Sequence, residues 1–157
     1  MVEFTMLGIP SIFLFLSIMS AAIDMWQFFT LSYAVAQTAR YASVHGAGCS
    51  TGSNACTITR AQVASYFESQ ALALVPASTT MTLNDGSGAI TCSPVTSCPS
   101  SASVFPASGH NTAGTNTVSV SASYTLTDPI AMFWPSAGSA LPRTWDVKAA
   151  STQEVLF

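Results

Sequence analysis

Few residues in this chain could do chemistry. Its 157 residues hold seven carboxylates, four basic side chains, two histidines and four cysteines. His45 and His110 are far apart, and His110 stands in a Gly/Asn/Thr-rich stretch that reads as solvated loop. Asp85, Asp128 and Asp146 are single acids in turn or strand contexts, well separated along the chain. No G-x-S-x-G elbow, P-loop or G-x-G-x-x-G pattern occurs. The sequence therefore points away from an enzyme, with no catalytic residues, no cofactor and no bound metal expected. What the spacing does support is disulfide formation. Cys49, Cys56, Cys92 and Cys98 follow a long apolar segment, an even count that suits an oxidising compartment. Of the three possible connectivities, nearest-neighbour pairing is preferred, because each pair flanks a short Ser/Gly/Pro-rich loop. Loops this short give about 2–2.5 kcal/mol each in the chain-entropy picture. A zinc site built on His45, Cys49 and Cys56 is the alternative, but it lacks a CxxC knuckle.

The element that carries this cysteine-bearing part across a membrane stands first. From Phe4 to Ile23 there is no charge, and Glu3 and Asp24 bracket the run. About 20 apolar residues match a hydrocarbon core of about 30 Å. A cleaved signal peptide would need a basic start and a small-residue cleavage site, and no Lys or Arg precedes Arg40. The helical pattern continues past Asp24. Trp26, Phe29, Tyr33, Gln37, Arg40, Tyr41 and Val44 recur on one face, and Phe28, Leu31, Val35 and Ala39 form a neighbouring stripe. Arg40 and His45 suit the negative end of a helix, and Gly46 and Gly48 give a stop. Residues 3–45 thus read as one helix of about 60–65 Å, roughly twice a bilayer. Pro10 is its one breaker, of a kind membrane helices tolerate. Gly8, Ser11, Ser17, Ser20, Ala21 and Ala22 permit close approach of other helices.

The remainder, residues 47–157, reads as a small exported α+β head domain on the long helix of residues 1–46. A second, shorter helix begins at a capping box formed by Thr59 and Gln62. Val63, Tyr66, Phe67, Gln70, Ala71 and Leu74 give its apolar stripe, and it ends before Pro76. The period then becomes two. Met81 and Leu83 alternate with threonines, residues 84–88 read as a turn, and residues 89–92 as a returning strand. Residues 93–116 read as a long surface loop. The clearest strand covers 117–126, with Val118, Val120, Ala122, Tyr124 and Leu126 on one side and Ser or Thr on the other. A last strand runs from about Arg143 to the terminus, with Trp145, Val147 and Ala149 alternating with Asp146, Lys148 and Ala150. The apolar patch at 130–134 reads as core cover or as a contact with another subunit, with core preferred. The expected head is a small antiparallel sheet packed on the helices.

Composition excludes other classes. Charged residues make up only 7%, against about 25% in a soluble domain, and the net charge is −3. Four scattered basic residues exclude an electrostatic nucleic-acid binder. The 49% hydrophobic content excludes ordinary disorder. No N-x-S/T sequon is present.

Glu3 is the acid with most to say. A carboxylate opening an apolar helix is costly in lipid unless paired, although a helix N-terminus favours it. It either caps the helix at the headgroups or pairs with the N-terminal amine of a neighbouring copy, setting axial register. The run V2-E-F-T-M-L-G-I-P10 resembles the V-E-F-A-L-x-x-P signature of TadE-like proteins, pilin-like components of tight-adherence (Flp) pilus systems. Q37-T-A-R-Y-A-S-V-H-G46 is similar to that family's alanine-rich A-A-R-x-x-A-R-Y-A stretch. The likeness is strong over the first third and weak over the later strands. Asp24 stands where many members have Glu, and processing by a prepilin peptidase is expected upstream of Met1. The resemblance implies assembly roles for Glu3, Pro10 and Asp24. It implies a type IV pilin-like life: residence in the bacterial inner membrane with a periplasmic head, then extraction by an assembly platform into an extracellular filament of copies of itself and other pilins. The alternative is a membrane-anchored assembly or binding module that never enters the filament.

Overall fold

The structure is a computed structural model that describes residues 2–46, 49–51, 54–98, 104–107, 117–127 and 144–155, with the side chains of 2–6, 50–51 and 54–55 excepted. It is α+β. Helix α1 spans Val2–Ser43 without interruption, about 63 Å of helix. Pro10 lies inside it and removes the donor that the Met6 carbonyl would otherwise accept from. The end is built from local chemistry: His45 Nδ1–H donates to the Tyr41 carbonyl at 2.7 Å, and Gly46 turns the chain away at φ 144°.

Beyond α1, the two-residue strands β1 (Ser50–Thr51) and β2 (Asn54–Ala55) pair across the loop closed by the Cys49–Cys56 disulfide. Helix α2 (Arg60–Gln70) starts at Thr59, whose Oγ1 accepts the Gln62 N–H at 3.4 Å while Gln62 Oε1 accepts the Thr59 N–H at 2.8 Å. That reciprocal box satisfies two otherwise orphaned donors. Val63 and Phe67 are buried from it, and the apolar spacing carries on into buried Ala71 and Leu74 after the helix has ended.

Four strands form one antiparallel sheet in the order β4-β3-β5-β6: β3 (Thr79–Asn84), β4 (Ala89–Cys92), β5 (Thr117–Thr127) and β6 (Thr144–Glu154). The β5–β6 ladder runs from Thr117↔Glu154 to Thr127↔Thr144. Strict alternation in β5 buries Val118, Val120, Ala122, Tyr124 and Leu126 on the inner face. The outer face is a field of hydroxyls tied across strands: Thr80 to Ser93 at 3.0 Å, Thr82 to Thr91 at 3.0 Å, and Thr125 Oγ1 donating to Asp146 at 2.7 Å. Cys92 closes the second disulfide with Cys98 at the end of β4.

The second half of α1 lies on the inner face of β5 and β6 and against α2. Leu31, Ala34, Val35, Thr38, Ala39 and Ala42 are all essentially buried there. Alanines on the helix, with Ala122 and Ala149 on the sheet, keep the two elements close. Thr38 enters the core because its Oγ1 donates to the Ala34 carbonyl at 2.7 Å. Tyr41 stacks on Tyr66 of α2 with centroids 4.2 Å apart and planes 10° from parallel, joining the two helices.

The stretch expected as a surface loop is partly core. Val95 and Phe105 are each 1% exposed, and the Phe105 N–H donates to the Ile58 carbonyl at 2.9 Å. A buried acid holds this stretch to the β3–β4 hairpin: Asp85 accepts from Ser87 Oγ at 2.6 Å, the Ser87 N–H at 3.1 Å and the Ala107 N–H at 2.9 Å. Burial pushes the Asp85 carboxyl upward, but these bonds and its own N–H outweigh it, so it titrates below its ordinary value. The charged form is therefore favoured in the fold. Its contribution is full above the unfolded pKa of about 4 and is lost as pH falls through the lower folded value. Asp85→Asn keeps one acceptor oxygen and strands a donor, at a cost of about 1–3 kcal/mol. Thermal unfolding of the full chain in detergent checks this: the variant melts lower at neutral pH, and the gap narrows as wild type is acidified below pH about 4.

Candidate functional site

Helix α1 changes environment along its length, and that change is the molecule's functional feature. From Leu7 to Ile23 its large apolar side chains stand open: Leu7, Ile12, Leu14, Phe15 and Ile18 are each at least 60% exposed. From Leu31 onward one stripe is wholly covered by the sheet. The open half is long and apolar enough to cross a membrane, with mean hydropathy 1.8 over its best window. Its hydroxyls are prepared for a dry medium. Ser11 Oγ donates to the Leu7 carbonyl at 2.7 Å, Ser17 to Phe13 at 2.9 Å and Thr30 to Trp26 at 2.9 Å. These three hydroxyls are thus satisfied within the helix, as hydrocarbon requires. Ser20 is the exception, buried with its hydroxyl unpartnered.

The residues singled out as assembly candidates are strung along α1 rather than brought together. The backbone of Glu3 belongs to the first turn, and its side chain lies outside the described residues. Pro10 is exposed on the open half. Asp24 is half-buried at the transition and lines a groove of about 250 Å³ with Met25, Phe28, Leu126, Trp145 and Val147. Glu3 and Asp24 stand about 31 Å apart along the axis, close to the thickness of a hydrocarbon core.

Of the two stripes read on the second half of α1, the neighbouring one is the core stripe: Leu31, Val35 and Ala39 are buried. The aromatic face turns out over its first part, with Trp26 at 64%, Phe29 at 59% and Tyr33 at 57% exposure, while Tyr41 farther along packs on the core and on Tyr66. Periodicity located both faces but could not say which one meets a sheet lying far away in sequence.

Cys49 is bonded to Cys56 and Cys92 to Cys98, so neither sulfur of the first pair is a thiolate donor for zinc. His45 is engaged instead with Tyr41, by its hydrogen bond and by ring contact at 4.4 Å. Among the described residues no group of three His, Cys, Asp or Glu is placed to hold a metal ion. His110, Asp128 and the apolar patch at 130–134 lie outside the described residues. Trp145 was legible only as one alternating position of the last strand. Strand pairing Leu126↔Trp145 carries it to the side of α1 beside Asp24.

A long apolar N-terminal helix, open for its first half and packed for its second on a four-stranded antiparallel sheet, decides the architecture. It is type IV pilin-like. No protein-family model, no curated protein and no solved structure matches the chain. The pilin-like reading therefore rests on the helix, the sheet and their packing. The open apolar helix and the two disulfides point to a membrane and extracytoplasmic location.

The division of α1 has a direct consequence. Leu31→Ala opens a cavity at a fully buried site, at a cost of about 2–5 kcal/mol. Phe29→Ala on the open face moves stability by less than about 0.5 kcal/mol. Thermal melts of both variants in the same detergent distinguish the two faces.

Proposed function

We propose that the chain is a structural pilin-like subunit of an extracellular type IV-like filament of the tight-adherence kind, polymerising through α1 and serving surface attachment. The observation that carries this reading is the open half of α1, whose large apolar side chains stand exposed. Such a helix is stable in a bilayer and equally stable in a bundle of its own kind, so it has two homes. The subunit first rests in the inner membrane with its head in the periplasm. A prepilin peptidase trims a leader, and an inner-membrane platform passes the subunit into a filament of its copies and other pilins. The N-terminal resemblance to TadE-like proteins supports the tight-adherence assignment, and the pilin-like fold agrees with it.

The head suits close assembly. Its outer sheet face is built of hydroxyls, with a shallow depression of about 380 Å³ lined by Thr80, Thr82, Ser121, Ser123 and Lys148. The charges on that face, Asp146, Lys148 and Glu154 on β6, are of mixed sign, which limits like-charge repulsion between copies. No enzymatic role enters this account.

In this reading Glu3 pairs with the N-terminal amine of a neighbouring copy and draws the incoming helix into register. Glu3→Ala then leaves membrane insertion unchanged but abolishes incorporation into sheared filaments, scored by immunoblot of shear and membrane fractions. Wild-type levels of the variant in the sheared fraction remove the pairing role.

A further inference from the structure

We propose that the lower end of the head is a membrane-docking foot, in which Trp145 joins Trp26 in an aromatic belt at the boundary between lipid headgroups and acyl chains. The proposal rests on the reading that the open half of α1 spans a bilayer, and it adds where the head sits on that bilayer.

The observations are positional. Strand β5 runs alongside the packed half of α1, and the two match in length. Asp24 to Ala42 rises about 27 Å at about 1.5 Å per residue, and Val118 to Leu126 covers about 27 Å at about 3.4 Å per residue. Leu126 therefore lies level with Asp24, where the open apolar surface of α1 begins, and Trp145 is its ladder partner. The groove lined by Asp24, Met25, Phe28, Leu126, Trp145 and Val147 records this meeting. Trp26, one short step along α1 from Asp24, is 64% exposed, and Trp145 is 39% exposed. Two tryptophans from opposite ends of the sequence are thus held at one level around the molecule.

That level is where the apolar span ends. Glu3 to Asp24 covers about 31 Å against a hydrocarbon core of about 30 Å. Indole rings, with an apolar body and one N–H, concentrate at this boundary. The groove surface is apolar apart from Asp24, whose carboxylate at this depth meets headgroups and water. Because the groove is continuous with the span, lipid is the occupant that covers both at once. A soluble partner would reach the groove only through the headgroups. The head is then seated on the bilayer at a fixed depth, with β5 and β6 rising from it, rather than swinging freely on α1.

The test uses the full chain in phosphatidylcholine vesicles. The chain has three tryptophans, so W26F with W134F leaves Trp145 alone, and W134F with W145F leaves Trp26 alone. Each is read with lipids brominated near the headgroup end or near the tail end of the acyl chain. Trp145 and Trp26 emission are both expected to be quenched, more by the shallow bromines than by the deep ones. Trp145 that escapes bromine quenching in a chain retained by carbonate-washed vesicles overturns the docking foot, whatever Trp26 does. Release of the chain by carbonate overturns the spanning reading itself, and the foot with it.

Discussion

Everything in this molecule depends on the seam between the second half of α1 and the inner face of β5 and β6. Leu31, Ala34, Val35, Thr38, Ala39 and Ala42 are buried in it, and the sheet answers with Val118, Val120, Ala122, Tyr124 and Leu126. The seam makes α1 a rigid stalk, because helix and sheet share a single core. Among the described residues of the head, it also leaves most of the first half of the same helix uncovered. A helix anchored at one end and open at the other has to find an apolar medium, and the pilin-like architecture follows from that requirement.

The rest of the head supports the seam. Helix α2 leans on α1 through the Tyr41–Tyr66 stack and supplies Val63 and Phe67 to the core. Both disulfides close short loops, the second around buried Val95. They restrain these loops in the unfolded chain. Asp85 performs a similar task by hydrogen bonding, tying the β3–β4 hairpin to the segment that delivers Phe105 to the core. Two hydroxyl pairs, Thr82 with Thr91 and Thr80 with Ser93, satisfy part of the head's outer face without charge.

Local signals made the long helix, the Thr59 capping box and the alternation in β5 readable in advance. Each is a pattern completed within a few residues, so sequence alone suffices. What resisted reading is long-range. Which face of α1 turns inward depends on a sheet that starts at Thr79, and the aromatic face looked at least as good a core as the Leu31 stripe that the sheet covers. Val95 and Phe105 sit among Ser, Pro and Gly, so a loop reading was natural, yet two single apolar residues complete the core there. The placement of Trp145 beside Asp24 needed the β5–β6 register. Glu3 had its assembly role proposed from helix-end electrostatics and from resemblance, and it remains a sequence inference.

The central claim is that α1 leaves the bilayer to become the core of an extracellular filament. Quantitative mass spectrometry of filaments sheared from cells, set against the membrane fraction of the same cells, tests it most directly. The account predicts the native chain in the sheared filaments, with its N-terminal peptide recovered just ahead of Glu3. Complete retention in the membrane fraction would contradict it and leave a membrane-anchored head that never polymerises.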